Sequence, residues 1–227
     1  MGFARQLVVE HAKGSYIVWM DGDIILSKSY IKQQVEFMER NPSVGVAVGS
    51  FGVLENDNWI AALENLEYVI QSLNHNEGPT SKLLGTEGAI FRVAAVRGVG
   101  GFNKKIKGAQ EDRDLAYRLK KAKWDFNVTK AVFYERQRDT WKALYKQYYW
   151  YGYGLHYMQS VHADRNRATD MSESNDRVVF SLYAYKLTHR KIVFLLPLNY
   201  VFKKTALLVG FIMAHIDGYG HIYKAKE

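Results

Sequence analysis

Cysteine is absent from this chain of 227 residues, and proline occurs only three times. The first absence excludes disulfide bonds and thiolate metal sites, and it is compatible with a reducing compartment. The second excludes a long proline-rich linker. Hydrophobic residues make up 48% of the chain and charged residues 24%, which is typical of a globular protein.

Basic residues outnumber acidic residues, and the net charge is +8. This balance favours an anionic partner, which can be a nucleic acid, a phosphorylated substrate or a membrane surface. The positive charge is spread along the chain, and no nucleic-acid-binding motif is recognisable. We therefore expect no nucleic-acid partner.

Strand and helix patterns alternate along the first 135 residues, which predicts an α/β layer fold. The segment 44–48 is apolar without alternation, as in a strand covered on both faces. We therefore expect a mostly parallel sheet covered by helices. The predicted helices are 4–13, 29–40, 57–74, 110–121 and 140–162, and the predicted strands are 16–20, 44–48, 88–91, 124–128 and 131–134.

Two domains are predicted, with the α/β domain over 1–162 and a helical tail over 163–227. In the tail, a polar loop over 164–176 precedes a helix over 178–187 and an apolar stretch over 192–216. Pro197, Asn199 and the pair Lys203–Lys204 interrupt this stretch, so neither part is expected to be long enough to span a bilayer. Flanking basic residues favour helices lying in the interface against anionic lipid. The alternative is a helical pair packed on the domain.

Two aspartates follow the first predicted strand, in the sequence Asp21-Gly22-Asp23. Ligands of α/β sheets bind at the carboxyl ends of strands, and Gly22 allows a tight turn between the two acids. Two carboxylates at this spacing suit Mg²⁺, which commonly uses one or two of them together with substrate phosphates. A solvated strand end or a helix cap is the alternative.

A second acidic cluster contains Glu111, Asp112 and Asp114 at the start of a predicted helix. Acids stabilise a helix N-terminus through the macrodipole, which is one explanation of the cluster. The other explanation is a general base, because a positioned carboxylate accepts a proton from an attacking hydroxyl.

Taken together and in order, these clusters resemble family 2 glycosyltransferases of the GT-A fold. The resemblance covers roughly residues 3–160. The segments that carry it are 4–6, 12–18, 21–23, 85–92, 99–102, 111–119, 136–141 and 147–152.

The resemblance implies a metal-dependent inverting transferase that uses a nucleotide-sugar donor. Asp21 and Asp23 would hold Mg²⁺ or Mn²⁺ against the donor diphosphate, with Asp23 the direct ligand. Asp112 would be the general base, with Glu111 beside it. The acceptor would be a glycan or a polyprenyl phosphate, bound at the cytoplasmic face of the cell membrane.

Further residues receive roles from the same resemblance. Arg136 and Arg138 would brace phosphates, or else form surface ion pairs with Glu135 or Asp139. Glu135 would take the place of a histidine that often helps to hold the metal. The acceptor side would be formed by Gly85, Thr86, Glu87 and Trp150.

The chain departs from the family at its front, where the strands that bind the nucleotide are expected. About 60 residues or more, two βα units, are absent if each βαβ unit takes about 30 residues. We therefore expect an exposed sheet edge, and three explanations stay open: a truncated reading frame, a fragment, or one piece of a split protein whose partner chain supplies the missing half. A non-catalytic or partner-dependent membrane-associated fragment is the alternative function.

The segment 145–157 is rich in tyrosine and contains Trp150 and His156. Three interpretations stay open, namely core packing of an aromatic helix, contact with a membrane or an acceptor sugar, and stacking on single-stranded nucleic acid.

Overall fold

The computed structural model describes residues 2–55, 57–73, 77–106, 109–162 and 177–219. The predicted loop 164–176 lies outside these ranges. The elements in chain order are α1 (Gly2–His11), β1 (Tyr16–Val18), β2 (Ile24–Leu26), α2 (Tyr30–Arg40), β3 (Val44–Phe51), α3 (Trp59–Leu73), β4 (Gly78–Pro79), β5 (Ile90–Arg92), α4 (Val93–Gly98), α5 (Glu111–Lys121), β6 (Asp125–Glu135), α6 (Trp141–Val161), α7 (Arg177–Thr188), a 3-10 helix (Lys191–Leu195) and α8 (Leu196–Ile216).

The chain divides into two compact units. The first contains Met1–Leu54 and Gln71–Arg136, and the second contains Glu55–Ile70 and Gln137–Glu227. This division differs from the predicted boundary at residue 162. The long helix α6 belongs with the C-terminal helices because it packs along α8.

The first unit is built on a mixed sheet with the strand order β1-β5-β3-β6-β2, and β4 also pairs with β6. The predicted α/β class is confirmed. The expected mostly parallel arrangement is wrong for the described strands, because β3–β6 is parallel and the other pairings are antiparallel. Alternating strand and helix patterns predict helical crossovers between parallel strands. Loops immediately precede β2 and β5, and both strands run antiparallel to the strands they pair with.

Strand β3 lies inside the sheet and is largely buried, as its apolar run predicts. Val46 on β3, Phe91 on β5 and Phe126 on β6 are buried in the same cluster as Leu115 and Leu119 of α5. Helix α5 therefore covers one face of the sheet through the inward residues that its spacing predicts.

Strand β6 is continuous, although two short strands were predicted in its place. Thr129 lies between the two predicted segments, and its hydroxyl donates to Gln34 Oε1 (3.1 Å) and to the Val48 carbonyl oxygen (3.3 Å). The polar pair Thr129–Lys130 is therefore accommodated within the strand. The strand brings Glu135 to the same edge as β2.

The second unit is helical, and its core joins α3, α7, the 3-10 helix and α8. The buried apolar residues of this core are Leu63, Leu66, Ile70, Phe180, Ala184, Val193 and Leu196. Helix α8 is continuous, so the predicted break of the apolar stretch is wrong. Pro197 lies in the first turn, where a missing N–H leaves no hydrogen bond unmade.

Charged side chains are buried between α3 and α8. Lys203 Nζ lies 3.0 Å from Glu64 Oε1 and 2.7 Å from Glu67 Oε2. Arg177 of α7 lies 3.2 Å from Glu67 Oε1, and the Asn199 side-chain amide donates to Glu64. These pairs explain how α8 carries Asn199 and Lys203 without a break, since both are buried in the unit, where Lys203 pairs with the two glutamates and the Asn199 Nδ2 donates to Glu64.

Helices α6 and α8 cross in backbone contact. A Cβ added to Gly152 would collide with the carbonyl of Leu207, and one added to Gly210 would collide with the carbonyl of Tyr149. Small residues at such a crossing permit the close approach of two helices.

The described residues contain one stretch, Lys191–Ile216, that meets the length and composition of a membrane span. Length and composition alone do not separate a span from an apolar helix of a packed unit. Several exposed residues of α8 are apolar, among them Leu198, Val201, Leu208, Ile212 and Ile216, while Lys204, Thr205 and His215 are exposed polar residues of the same helix.

Aromatic residues of α6 take part in packing within the second unit. Trp141 stacks edge-to-face with Trp59 and with Phe202, and Tyr157 is buried. Core packing therefore accounts for part of this segment, while Tyr145 and Trp150 stay exposed.

Candidate active site

The two aspartates form a tight turn between β1 and β2. The Ile24 amide donates to the Asp21 carbonyl oxygen at 3.1 Å, and the Arg136 amide donates to the Asp23 carbonyl oxygen at 2.8 Å. Because Ile24 pairs with Glu135, the end of β6 lies against this turn. The structure thus brings Asp23 next to the corner formed by Glu135 and Arg136.

Arg5 of α1 joins the two acidic motifs. Its Nη1 lies 2.8 Å from Glu111 Oε1, and its Nη2 lies 3.2 Å from Asp21 Oδ1. The guanidinium carbon also lies 5.7 Å from the centre of the Trp19 ring. The motifs around Asp21 and Glu111 are ninety residues apart in the chain, and one side chain holds them together.

Glu111 is buried at the start of α5, after Gln110 in the left-handed backbone region. Burial and the neighbouring Asp112 carboxylate raise the pKa of Glu111 to about 7, and Arg5 opposes this shift. Asp112 is half-exposed, and its Oδ1 accepts a hydrogen bond from the Arg113 amide. Of the two residues, Asp112 is the one that a substrate can reach.

The third acid of this helix turn has a structural role. Asp114 is buried, and its Oδ2 accepts from Nε and Nη2 of Arg118 at 3.0 and 2.6 Å. Arg118 also donates to the carbonyls of Val99 and Gly101. The acidic cluster therefore contains one acid that anchors the helix, Asp114, and two acids of the candidate site, Glu111 and Asp112.

The loop before β5 brings its predicted residues to Asp112. A Cβ added to Gly85 would collide with the Glu87 carboxylate and would lie 3.0 Å from Asp112 Oδ2. Thr86 is buried, and its carbonyl accepts from the Ala89 amide at 3.3 Å. Gly85 therefore leaves the space in which the two carboxylates approach each other.

Two predicted residues, Arg138 and Trp150, belong to the second unit. Arg138 is half-buried in the segment before α6, and Trp150 is on α6 with its ring against Tyr149 and Tyr153. Arg136 and Glu135 belong to the first unit, where Arg136 is exposed and Glu135 is half-buried.

No group of three or more His, Cys, Asp or Glu side chains suited to a metal ion occurs in the ranges that the structure describes. The Asp21 carboxylate is engaged by Arg5 through both oxygens, at 3.2 and 3.3 Å. The oxygen donors of the turn still suit Mg²⁺ or Mn²⁺, since such sites are completed by substrate phosphates and water.

Arg5 is the residue that the sequence analysis missed as part of the site. In the sequence it was noted only as part of segment 4–6, which is one of the segments that resemble the family. The available signal is an arginine on a helix whose other residues on that side are apolar, because a buried guanidinium requires an acidic partner. The sequence does not identify which acids these are.

Comparison with known proteins identifies the family of the chain. The model described as glycosyl transferase family group 2 matches residues 16–218. No curated protein matches the chain.

Among solved structures, the chain is similar to that of S. aureus TarS 1-349, with 13% identity and a TM-score of 0.42, covering 100% of this chain and 71% of that one. The corresponding values for its complex with UDP-GlcNAc are 12%, 0.43, 98% and 71%. For its complex with UDP they are 11%, 0.43, 100% and 71%. TM-scores below 0.5 do not establish a common fold.

The family match extends over most of the chain and includes the turn of Asp21 and Asp23 and the acids of α5. It confirms the family expected from these motifs. The chain belongs to glycosyl transferase family group 2 and is an enzyme of the glycosyltransferase type.

Proposed function

We propose that the chain transfers a sugar from a nucleotide-sugar donor to an acceptor with inversion at the anomeric carbon. The observation that carries this proposal is the Arg5 bridge, which unites the acid of the strand turn with the acids of α5. A donor diphosphate next to the turn and an acceptor next to Asp112 would then share one site.

Asp112 acts as the general base. Its carboxylate accepts the acceptor proton as the acceptor oxygen bonds to the anomeric carbon. The bond from that carbon to the diphosphate breaks, and its electron pair leaves with the nucleoside diphosphate. A single displacement of this kind inverts the configuration. Glu111, buried and paired with Arg5, positions the helix turn that carries Asp112.

Asp23 and Asp21 would hold Mg²⁺ or Mn²⁺, with Glu135 as a further oxygen ligand. Asp23 is the proposed direct ligand, and Arg5 holds the Asp21 carboxylate beside it. When bound, the cation would neutralise negative charge on the leaving diphosphate. Arg136 at the same corner would contact phosphate oxygens.

The acceptor is a glycan or a lipid-linked hydroxyl or phosphate, and the enzyme works at the cytoplasmic face of the cell membrane. Support comes from the apolar outward residues of α7 and α8 and from the basic residues Lys186, Arg190 and Lys191 near them. Basic residues beside an exposed apolar face favour anionic lipid.

Isothermal titration with UDP and GDP, with and without Mn²⁺, tests the donor site. We expect metal-dependent binding that is lost in Asp23→Ala and kept in Asp125→Ala, which removes an exposed acid of the same unit. Equal binding by both variants would contradict the assignment. A product assay over a donor panel then tests transfer, which Asp112→Asn should reduce at least a hundredfold.

The second candidate function is a partner-dependent fragment. Strand β1 has a strand partner on one side only within the described residues, and Phe3, Leu7 and Val8 are exposed along one face of α1. An open edge beside an apolar helix face fits a further chain segment that adds a strand. Folded protein that binds no nucleotide until such a segment is supplied would favour this function.

A further inference from the structure

Glu87 and Asp112 form a pair of converging carboxylates. A Cβ at Gly85 would touch the Glu87 carboxylate and would lie 3.0 Å from Asp112 Oδ2, so both groups reach the same point. Glu87 is exposed and Asp112 half-exposed, so an incoming molecule can meet both.

The loop that carries Glu87 is anchored in the core. The buried Tyr30 hydroxyl donates to the carbonyl of Gly88 and accepts from the Gly49 amide at 3.0 Å. Gly88 has a φ of 65°, a conformation that favours glycine. These contacts with α2 and β3 therefore fix the position of the backbone next to Glu87.

The pair lies among charged side chains of both signs. Glu111 adds a third carboxylate next to Asp112, and the guanidinium of Arg5 is divided between Glu111 and Asp21. Part of Glu87 is exposed, but protein atoms surround its carboxylate. This desolvation, and then the Asp112 carboxylate, raise the pKa of Glu87 to about 7, while Arg113 and Arg5 oppose the shift.

We propose that Glu87 determines acceptor specificity: with Asp112 it admits a neutral acceptor whose hydroxyl reacts and excludes an acceptor whose reacting group is a phosphate. The inference rests on the proposed function of Asp112 as the base. Above a pH of about 7, where Glu87 is ionised, its carboxylate accepts hydrogen bonds and donates none, so an acceptor hydroxyl donates to the pair. A phosphate brings further negative charge to two carboxylates, and like charges brought together oppose binding. Of the two acceptor classes, the pair favours the glycan or alcohol hydroxyl.

Binding of geraniol and geranyl phosphate tests this inference, because the two probes share one apolar tail and differ in the head group. Dissociation constants are measured at about pH 8, where Glu87 is ionised, for the wild-type chain, for Glu87→Gln, and for Glu36→Gln as a control. The control removes an exposed acid from α2 and corrects for general attraction of phosphate to a basic protein. We expect Glu87→Gln to improve binding of geranyl phosphate relative to geraniol about tenfold, and Glu36→Gln to leave the ratio unchanged.

An unchanged ratio in Glu87→Gln, or an equal change in both variants, would overturn the inference. The glutamine keeps the shape of the side chain, and circular dichroism confirms that each variant is folded. The same samples are titrated with UDP and Mn²⁺. Loss of nucleotide binding in every sample counts against the proposed function, whereas the probe ratio decides on Glu87 separately.

Discussion

At the scale of single residues, Arg5 matters both to the local fold and to the candidate site. It is nearly buried, it pairs with an acid from the strand turn and an acid from α5, and its guanidinium lies near Trp19. A guanidinium suits this arrangement because its donors point in several fixed directions in one plane. The residue thus serves the local fold and the assembly of the site together.

Replacing Arg5 with Met should lower the free energy of unfolding by about 3 kcal/mol, because Glu111 would be left as a buried acid without its partner. Urea denaturation measures the change. Lys104→Met is the control, since it breaks a pair of 2.8 Å with Glu10 at the surface of the same helix and should cost less than about 1 kcal/mol. Equal losses would mean that the buried pair does not stabilise the fold.

Glu111 should also make stability depend on pH. Its pKa is about 7 in the folded chain against 4.5 as the ordinary value, so the folded state binds the proton more tightly. The stabilisation is complete below about pH 4.5 and is lost as the pH rises through about 7, by as much as about 3 kcal/mol.

Urea titrations at about pH 5 and pH 8 measure this effect in the wild-type chain and in Glu111→Gln. The glutamine has no proton to lose, so its free energy of unfolding should fall less between the two pH values. A parallel fall in both proteins would place the pH dependence in other groups.

At the scale of secondary-structure elements, most of the helices and strands were predicted from the sequence, whereas α4, β2 and β4 were missed. The periodicity of α2, α3, α5 and α6 placed their ends within two residues of those observed. Strand directions were not predictable in the same way, since β2 pairs with β6 across more than a hundred residues. Pairing of that kind depends on tertiary packing and leaves no local pattern.

The candidate site was likewise predicted in part from local sequence, and the rest depends on the fold. The acids at 21, 23, 111 and 112 were identified from motifs, whereas the convergence of Glu87 and Asp112 beside Gly85 became visible only in three dimensions. Burial of Asn199 and Lys203 was missed for a related reason. Within a sequence window a lysine interrupts an apolar stretch, whereas in the folded unit Glu64 and Glu67 receive it.

The buried pairs of the second unit lead to a prediction for α8. Lys203→Met should lower the free energy of unfolding by about 3–5 kcal/mol, because Glu64 and Glu67 would lose the cation that lies between them. Thermal and urea unfolding measure the loss.

The adjacent Lys204→Met is a matched control. Lys204 is exposed, and its ammonium lies 5.3 Å from the Tyr200 ring, so its loss should cost less than about 1 kcal/mol. Similar values for the two lysine variants would show that the buried pairs contribute little. Adding Glu64→Gln to Lys203→Met should recover part of the loss.

At the scale of the whole molecule, the proposed membrane contact can be tested through the outward residues of α8. Leu208 and Ile212 are 57% and 47% exposed, and replacing both with Asp should reduce sedimentation with liposomes containing about one-third anionic lipid at least fivefold. Ile31→Asp is the control, because Ile31 is 53% exposed on α2 of the first unit. Unchanged sedimentation of the double variant would contradict the proposed contact.

The crossing of α6 and α8 has a consequence for the divergence of this family. Each helix presents a glycine to a carbonyl of the other, so enlargement at position 152 cannot be offset at position 210, where the side chain is already absent. A larger side chain at either position would separate the two helices along their whole contact. Among descendants of a common ancestor, we therefore expect both positions to stay small together, in lineages where the surface residues of the same helices have changed freely.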